Sequence, residues 1–281
     1  MNMSKFLPKD FDRSATILLI AGKGVYPSIV RDALKSEGID HKLAAFEDET
    51  PLELWDSFKD SDKRKMNVGQ LGKLLKTARD FGAKYAIMAG QITPKKLFKG
   101  LFPDLKAMSI LARLKRRNAE TIFGAVAEEL SKVGTEMLDA RSFLDEHLSP
   151  RGPFCGDAPD SDTLEYARHA MQIARECARL DIGQSCVTSR GTVLAVEGFE
   201  GTDKMIERAG TFGAKDAIFA KTVKPKQDYR FDVPVIGERT IKKLAEADIR
   251  TAVLEAEQTL ILESDIVKGL AEKNGIRIFG L

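Results

Sequence analysis

The chain has 281 residues, 43% of them apolar, with 44 basic side chains against 42 acidic ones for a net charge of +2. That length suffices for two modest cores, because domains most often run about 100–150 residues. Near-neutrality leaves no global field to attract nucleic acid, so no nucleic-acid partner is expected. Cys155, Cys177 and Cys186 form no CxxC pair and are too few for a disulfide framework. This fits a reducing, cytoplasmic location and argues against a structural zinc site. His41, His147 and His169 stand at no metal-ligand spacing, and the apolar run Ile17–Ala21 is far shorter than a membrane span.

In chain order, Thr16–Ile20 reads as a buried parallel strand. Ala21-Gly22-Lys23-Gly24 follows, then a helix entered at Pro27 with Ile29, Val30, Ala33 and Leu34 at helical spacing. Gly22, Lys23 and Gly24 are candidate substrate-binding residues, because glycines let the backbone approach a phosphate and a helix N-terminus presents its positive end. The third glycine of a dinucleotide fingerprint is missing and no Gly-x-x-x-x-Gly-Lys-Ser/Thr occurs, which argues against NAD and excludes a P-loop. His41–Ala45 reads as the next strand, Val68–Gly72 opens a helix, and Tyr85–Ala89 is a strand ending in Gly90-Gln91. Two loops at one sheet edge would form a nucleotide crevice, so Gly90 and Gln91 join the candidates.

Pro94–Arg117 is a basic amphipathic segment. Leu97, Phe98, Leu101, Phe102, Leu105 and Met108 supply apolar surface, and Lys95, Lys96, Lys99 and Lys106 supply charge. Such a segment lies on an anionic membrane surface or docks one face on a core. Asn118–Val133 is helical and Glu136–Asp139 a short strand, completing an N-terminal nucleotide-binding domain, residues 1–148, with a Rossmann-like parallel sheet. The stretch from Ser149 to Asp160, dense in proline and glycine, reads as an interdomain linker over 149–161. Residues 162–281 then bring a helix over Thr163–Leu180, a hairpin around Ser189-Arg190-Gly191, a helix after Thr202, a strand over Ala217–Ala220 and alternating elements to the end. The expectation is two α/β domains joined by a Pro/Gly-rich linker, with catalysis in the second.

The chemistry concentrates between Leu180 and Pro234. Lys221, Lys224, Lys226 and Arg230 surround Asp228 and Asp232 in sequence, and Pro225 and Pro234 restrict the loop. Cations neutralise phosphoryl oxygens while a carboxylate among them holds a divalent metal or orients water. The bland alternative is a solvated charged loop. Asp228, Lys221, Lys224 and Arg230 are the catalytic candidates. Gln184, Gly201, Thr202, Asp203 and Gln227 are further substrate-binding candidates, and Asp228 and Glu197 are metal-ligand candidates.

Leu180-Asp181-Ile182-Gly183-Gln184, Glu200-Gly201-Thr202-Asp203 and Lys224-Pro225-Lys226-Gln227-Asp228-Tyr229-Arg230-Phe231-Asp232-Val233-Pro234 resemble, in order, the LpxI-type UDP-2,3-diacylglucosamine pyrophosphatases. Where an acidic pair is expected to open a helix after the basic run, this chain has Asn118-Ala119-Glu120. The resemblance implies hydrolysis of UDP-2,3-diacylglucosamine to UMP and 2,3-diacylglucosamine 1-phosphate with Mg2+, by attack at the β-phosphorus, with the lipid-sugar phosphate between the two domains. Transient contact with the cytoplasmic membrane face through the basic segment, a peripheral inner-membrane location and a homodimer are further expectations. The residues alone define only a two-domain phosphate-binding α/β protein. A nonenzymatic nucleotide-sugar sensor and a nucleotide-sugar transferase are the alternatives.

Overall fold

A computed structural model describes residues 3–92, 103–114 and 119–281. The chain divides into two compact units, Met1–Asp145 with Asp228–Asp232, and Glu146–Gln227 with Val233–Leu281.

Unit 1 is built on β1 (Ile17–Ala21), β2 (His41–Phe46), β3 (Lys63–Met66), β4 (Tyr85–Ala89) and β5 (Glu136–Met137), all parallel, in the order β3-β2-β1-β4-β5. Ile-Leu-Leu-Ile-Ala in β1 is buried along its whole length, as a central parallel strand covered on both faces must be. Leu18 and Ile20 pack in one cluster with Leu74, Leu75, Ala86 and Leu130. The strand order reverses between β1 and β4, so the loops that leave their C-terminal ends are neighbours, the usual place for a ligand in an open parallel sheet. This is the Rossmann-like sheet expected from the sequence.

Strand β3 escapes the apolar pattern because its sequence is Lys-Arg-Lys-Met. It is an edge strand whose first lysine is buried by stacking, with Lys63 Nζ 4.6 Å from the Trp55 ring centroid and 3.1 Å from Asp60. Charged edge residues of this kind also discourage pairing with another chain.

Unit 2 contains β6 (Gly152–Cys155), β7 (Ser185–Ser189), β8 (Thr192–Val196), β9 (Ala217–Lys221), β10 (Val235–Ile236), β11 (Thr251–Leu254), β12 (Leu260–Ile261) and β13 (Arg277–Gly280). Its main sheet is mixed, in the order β6-β13-β11-β9-β7-β8, while β10 and β12 form a separate parallel pair. Strands β9, β11 and β13 run parallel, and β6 and β7 join them antiparallel. The β7-β8 hairpin turns at Arg190 (φ 48) and Gly191 (φ 83). Two successive positive φ values make the tight turn whose twist matches its strands.

The structure departs from the expected layout in two places. The stretch expected to be a linker carries β6, with Pro153 on an edge strand, where a missing N–H costs no ladder bond. The second departure is that Asp228–Asp232 belongs to unit 1 rather than to the C-terminal unit. Ala140 N donates to Tyr229 O at 2.8 Å, and the Phe231 and Phe123 rings lie 5.8 Å apart, so this short segment packs on unit 1.

Expectations for Lys95, Lys96, Lys99 and Asn118 concern residues outside the described set. The described part of the basic segment forms a helix, Leu105–Arg113, capped by Asp104, whose Oδ1 accepts from Ala107 N at 2.9 Å. Ala107 and Ile110 face the core, while Leu105 and Met108 are 86% and 54% exposed. The face expected to dock on the core is thus only partly covered. Lys106 is not a free surface charge, since its Nζ lies 2.6 Å from Glu129. Among the described residues no helix is long and apolar enough to cross a membrane.

Candidate active site

At the switch point of unit 1 the two expected loops do meet. Lys23 N donates to Gln91 O at 2.8 Å and Gln91 N to Lys23 O at 3.2 Å, closing an antiparallel bridge, and Gly22 N donates to Ala89 O at 2.8 Å. The glycines serve this contact first. A Cβ at Gly22 would lie 2.6 Å from Gln91 O, and one at Gly90 (φ +88) 2.5 Å from Lys23 O. The expectation that Gly22 leaves room for a phosphate is therefore corrected: its N–H and its missing side chain are both used to join the loops. Gly24 (φ +86) has open space beside it and leads into the Tyr26–Ser36 helix. Lys23 is half exposed, 3.7 Å from the fully buried Glu49 side chain. Sequence reasoning missed Glu49, although the acidic run Glu47-Asp48-Glu49 directly after β2 was the signal.

Asp228 opens a single turn of unit 1 closed by Phe231 N and Asp232 N, which donate to its carbonyl at 3.3 and 3.0 Å. Among the described residues, Arg230 holds its carboxylate. Arg230 Nε donates to Oδ1 at 2.9 Å and its terminal amino group to Oδ2 at 2.6 Å, and Arg230 N adds a 3.2 Å bond to Oδ1. The Arg230 side chain keeps the Asp228 carboxyl below the usual range, against the opposing effect of partial burial. Two of the lysines expected beside Asp228 have partners within unit 2. Lys224 Nζ sits 2.7 Å from Asp181, and Lys221 Nζ donates to Thr202 Oγ1 at 3.2 Å. Lys224–Gln227 is a turn in which Gln227 N donates to Lys224 O at 3.1 Å. Gln227 Oε1 accepts from Lys224 N at 2.8 Å, so the Gln227 amide locks this turn.

In unit 2, Glu197 follows β8 and gathers the rest. Its Oε2 accepts from Ser185 Oγ at 2.6 Å and from Gln184 N at 3.3 Å, and its Oε1 accepts from Thr202 Oγ1 at 2.7 Å. Gly183 permits this approach, since a Cβ there would lie 2.8 Å from the Glu197 carbonyl carbon. Burial opposes ionisation of Glu197, but the charge of Lys221, the two hydroxyls and the Gln184 N–H outweigh it and hold the carboxyl below its ordinary value. Lys221, at the end of β9, is itself buried. Thr202 and Lys221 thus stand at the N-terminus of the Thr202–Gly210 helix, entered through Gly201 at φ +82, where the helix dipole favours an anion. Asp203, in the same first turn, is ion-paired with Arg239.

Among the described residues no group of three or more His, Cys, Asp or Glu side chains is placed to hold a metal ion. Glu197 is a poor metal ligand, because its oxygens accept from two hydroxyls and a backbone N–H that are part of the fold around it. Asp228 fits better: its oxygens also accept hydrogen bonds, but from Arg230, whose side chain is 44% exposed. Mg2+ commonly takes one or two carboxylates and completes its shell with water and substrate phosphate.

A Rossmann-like parallel unit and a unit with a mixed sheet together define a two-domain α/β protein. Residues 16–147 match the LpxI N-terminal domain and residues 150–279 the LpxI C-terminal domain. The UDP-2,3-diacylglucosamine pyrophosphatase LpxI of Caulobacter vibrioides is 30% identical over 277 residues, covering 94% of this chain and 96% of its own. The chain belongs to the LpxI family.

Proposed function

We propose that this protein hydrolyses the diphosphate of UDP-2,3-diacylglucosamine to UMP and 2,3-diacylglucosamine 1-phosphate, a step of lipid A biosynthesis. The observation that carries this reading is 30% identity, over nearly the full length of both chains, to a relative named for that pyrophosphatase activity. Water adds to the β-phosphorus, the bond from that phosphorus to the bridging oxygen breaks, and UMP departs with the electron pair.

In unit 1, Asp228 orients the water and Arg230 takes up charge on the phosphoryl oxygens, while Lys23, Gly24 and Gln91 contact the nucleotide. In unit 2, Lys221 and Thr202 offer a cation and a hydroxyl at a helix N-terminus, with Gln184, Lys224 and Gln227 shaping the loops beside them. Mg2+ belongs to the same proposal. Asp228 with substrate phosphate oxygens would hold it, and it would supply further charge neutralisation.

Running the reaction in water labelled with heavy oxygen tests the whole reading. Attack at the β-phosphorus places the label in the lipid 1-phosphate. Label in UMP would overturn that assignment. No cleavage without an added acceptor would favour a transferase, and binding of the UDP-sugar with no product at all would favour a sensor.

Contact with the cytoplasmic membrane face, and with it a peripheral location and a homodimer, extends the proposal. Leu105 and Met108 are exposed beside a lysine-rich stretch of sequence, the composition that seats a helix in an anionic interface. Reversing the charge of Lys95, Lys96 and Lys99 to Glu should cut flotation with anionic vesicles by roughly tenfold or more, at about 1 kcal/mol per basic residue. Flotation unchanged by the reversal would return the segment to a purely structural role. Lys106 is left out because Glu129 already holds it.

A further inference from the structure

Unit 1 contains the same local device twice. In Asp139-Ala140-Arg141, Arg141 N donates to Asp139 Oδ1 at 2.9 Å, Nε to Oδ1 at 3.0 Å and the terminal amino group to Oδ2 at 2.7 Å. In Asp228-Tyr229-Arg230 the corresponding bonds are 3.2, 2.9 and 2.6 Å. The two clasps are joined through their middle residues by the bond from Ala140 N to Tyr229 O. Their settings differ: the Arg141 side chain is 8% exposed and that of Arg230 44%. A third Asp-x-Arg pair, Asp248 with Arg250, lies exposed on the surface, so the motif alone marks nothing. What distinguishes the first clasp is what surrounds it.

The Arg141 guanidinium lies between two rings, 3.3 Å from the Tyr229 centroid and 4.1 Å from that of Phe6. Cation and ring attract most strongly when the cation is desolvated, as it is here. The Ala140 peptide is fixed on its other side as well, because Tyr26 OH donates to Ala140 O at 2.6 Å inside the core. Burial pushes the Tyr26 phenol far above its ordinary value, so that donor stays protonated at any working pH. The turn that carries Asp228 is therefore gripped at Tyr229 by backbone and ring, and at Phe231 by the Phe123 ring.

We propose that Arg141 is a positioning residue for the reaction: held by Asp139 and stacked on Tyr229, it fixes the turn that presents Asp228 and Arg230. The buried clasp is the anchor and the exposed clasp is the working pair. This rests on the proposed hydrolysis only for its catalytic consequence. A guanidinium is required because its flat face stacks on the ring while its edge bonds the carboxylate, which an ammonium cannot reproduce.

The test uses Arg141→Lys, Tyr229→Ala and Tyr229→Phe in the full chain, with two readouts. The first is tryptic cleavage after Arg230 under native conditions, which needs no substrate. It should accelerate in Arg141→Lys and Tyr229→Ala and much less in Tyr229→Phe, which keeps the ring. The second is steady-state hydrolysis. The first two variants should lose about 100-fold in kcat, the size of effect that a small misplacement of a reacting group produces, with KM changed little, and Tyr229→Phe should recover most of it. Accelerated cleavage with unchanged kcat would make the clasp merely structural and overturn the proposal. So would a loss of kcat with cleavage after Arg230 unchanged, or a loss in which kcat and KM worsen together. If the parental protein lacks hydrolase activity, the reading of its function fails, while unaltered cleavage after Arg230 in both disruptive variants would separately overturn the anchor.

Discussion

Asp228→Ala is expected to lower turnover roughly 100-fold or more, the range for loss of a catalytic acid–base or electrostatic group, while binding of the lipid 1-phosphate product stays within a few-fold of parental. Cations neutralise phosphoryl oxygens, but an oriented water requires an acceptor, and Asp228 is a carboxylate of this turn that Arg230 holds ionised. Removing it frees Arg230 from its two side-chain bonds rather than leaving a hole in the core, since both side chains are partly exposed. Single-turnover kinetics and calorimetric titration with product separate the two effects. Near-normal turnover with weakened binding would defeat the assignment. The pH dependence gives a second check. Because Arg230 is the principal reason that the Asp228 carboxyl lies below its usual range, the parental acid limb of kcat/KM should lie low. Arg230→Gln should move that limb to higher pH, in addition to lowering its height. An acid limb left in place by Arg230→Gln would show that a different group controls it.

The parallel sheet of unit 1 was legible because burial on both faces demands unbroken apolar runs, and Ile17–Ala21 and Tyr85–Ala89 supply them. The pairing of the Lys23 and Gln91 loops followed from the strand order that such a sheet imposes. Strand β3 was invisible since stacking on Trp55 buries a lysine that pattern reading counts as exposed. Strand β6 was hidden by the glycine and proline that an edge position tolerates. The candidate site was legible as composition but not as pairing. Asp228 and Arg230 are two residues apart and their bond is local, whereas Glu197 meets Ser185 across a strand pair that no spacing rule gives. Nor could sequence assign Asp228–Asp232 to the first unit. That assignment depends on Arg141 and Phe123, far away in the chain, and the flanking residues belong to the second unit.

The second large effect is expected at Glu197, and it is one of folding stability before catalysis. Glu197 satisfies two hydroxyls and a backbone N–H and faces the buried Lys221 charge. Replacing it with Ala leaves these donors without their acceptor and Lys221 without its counter-charge. Unsatisfied buried donors cost about 1–3 kcal/mol, and an uncompensated buried charge adds to that. Glu197→Ala should therefore unfold at distinctly lower denaturant than the parental protein with an unchanged m-value, whereas Glu197→Gln, which keeps acceptor capacity, should lose less. The pH dependence has a definite sign. The folded carboxyl of Glu197 lies below its unfolded value, so its contribution is fully present above the usual carboxylate range and is lost as pH falls through the folded value. The stability difference between parental and Glu197→Gln proteins should thus be largest near neutral pH and shrink towards acid. A difference that stayed constant down to strongly acidic pH would mean that the Glu197 charge contributes nothing, leaving the hydroxyl network as the whole of its role. Thr202 and Lys221 depend on Glu197 for their orientation at the helix N-terminus, so Glu197→Gln should also weaken binding of phosphate-bearing substrate more than it lowers kcat, the reverse of the pattern expected at Asp228.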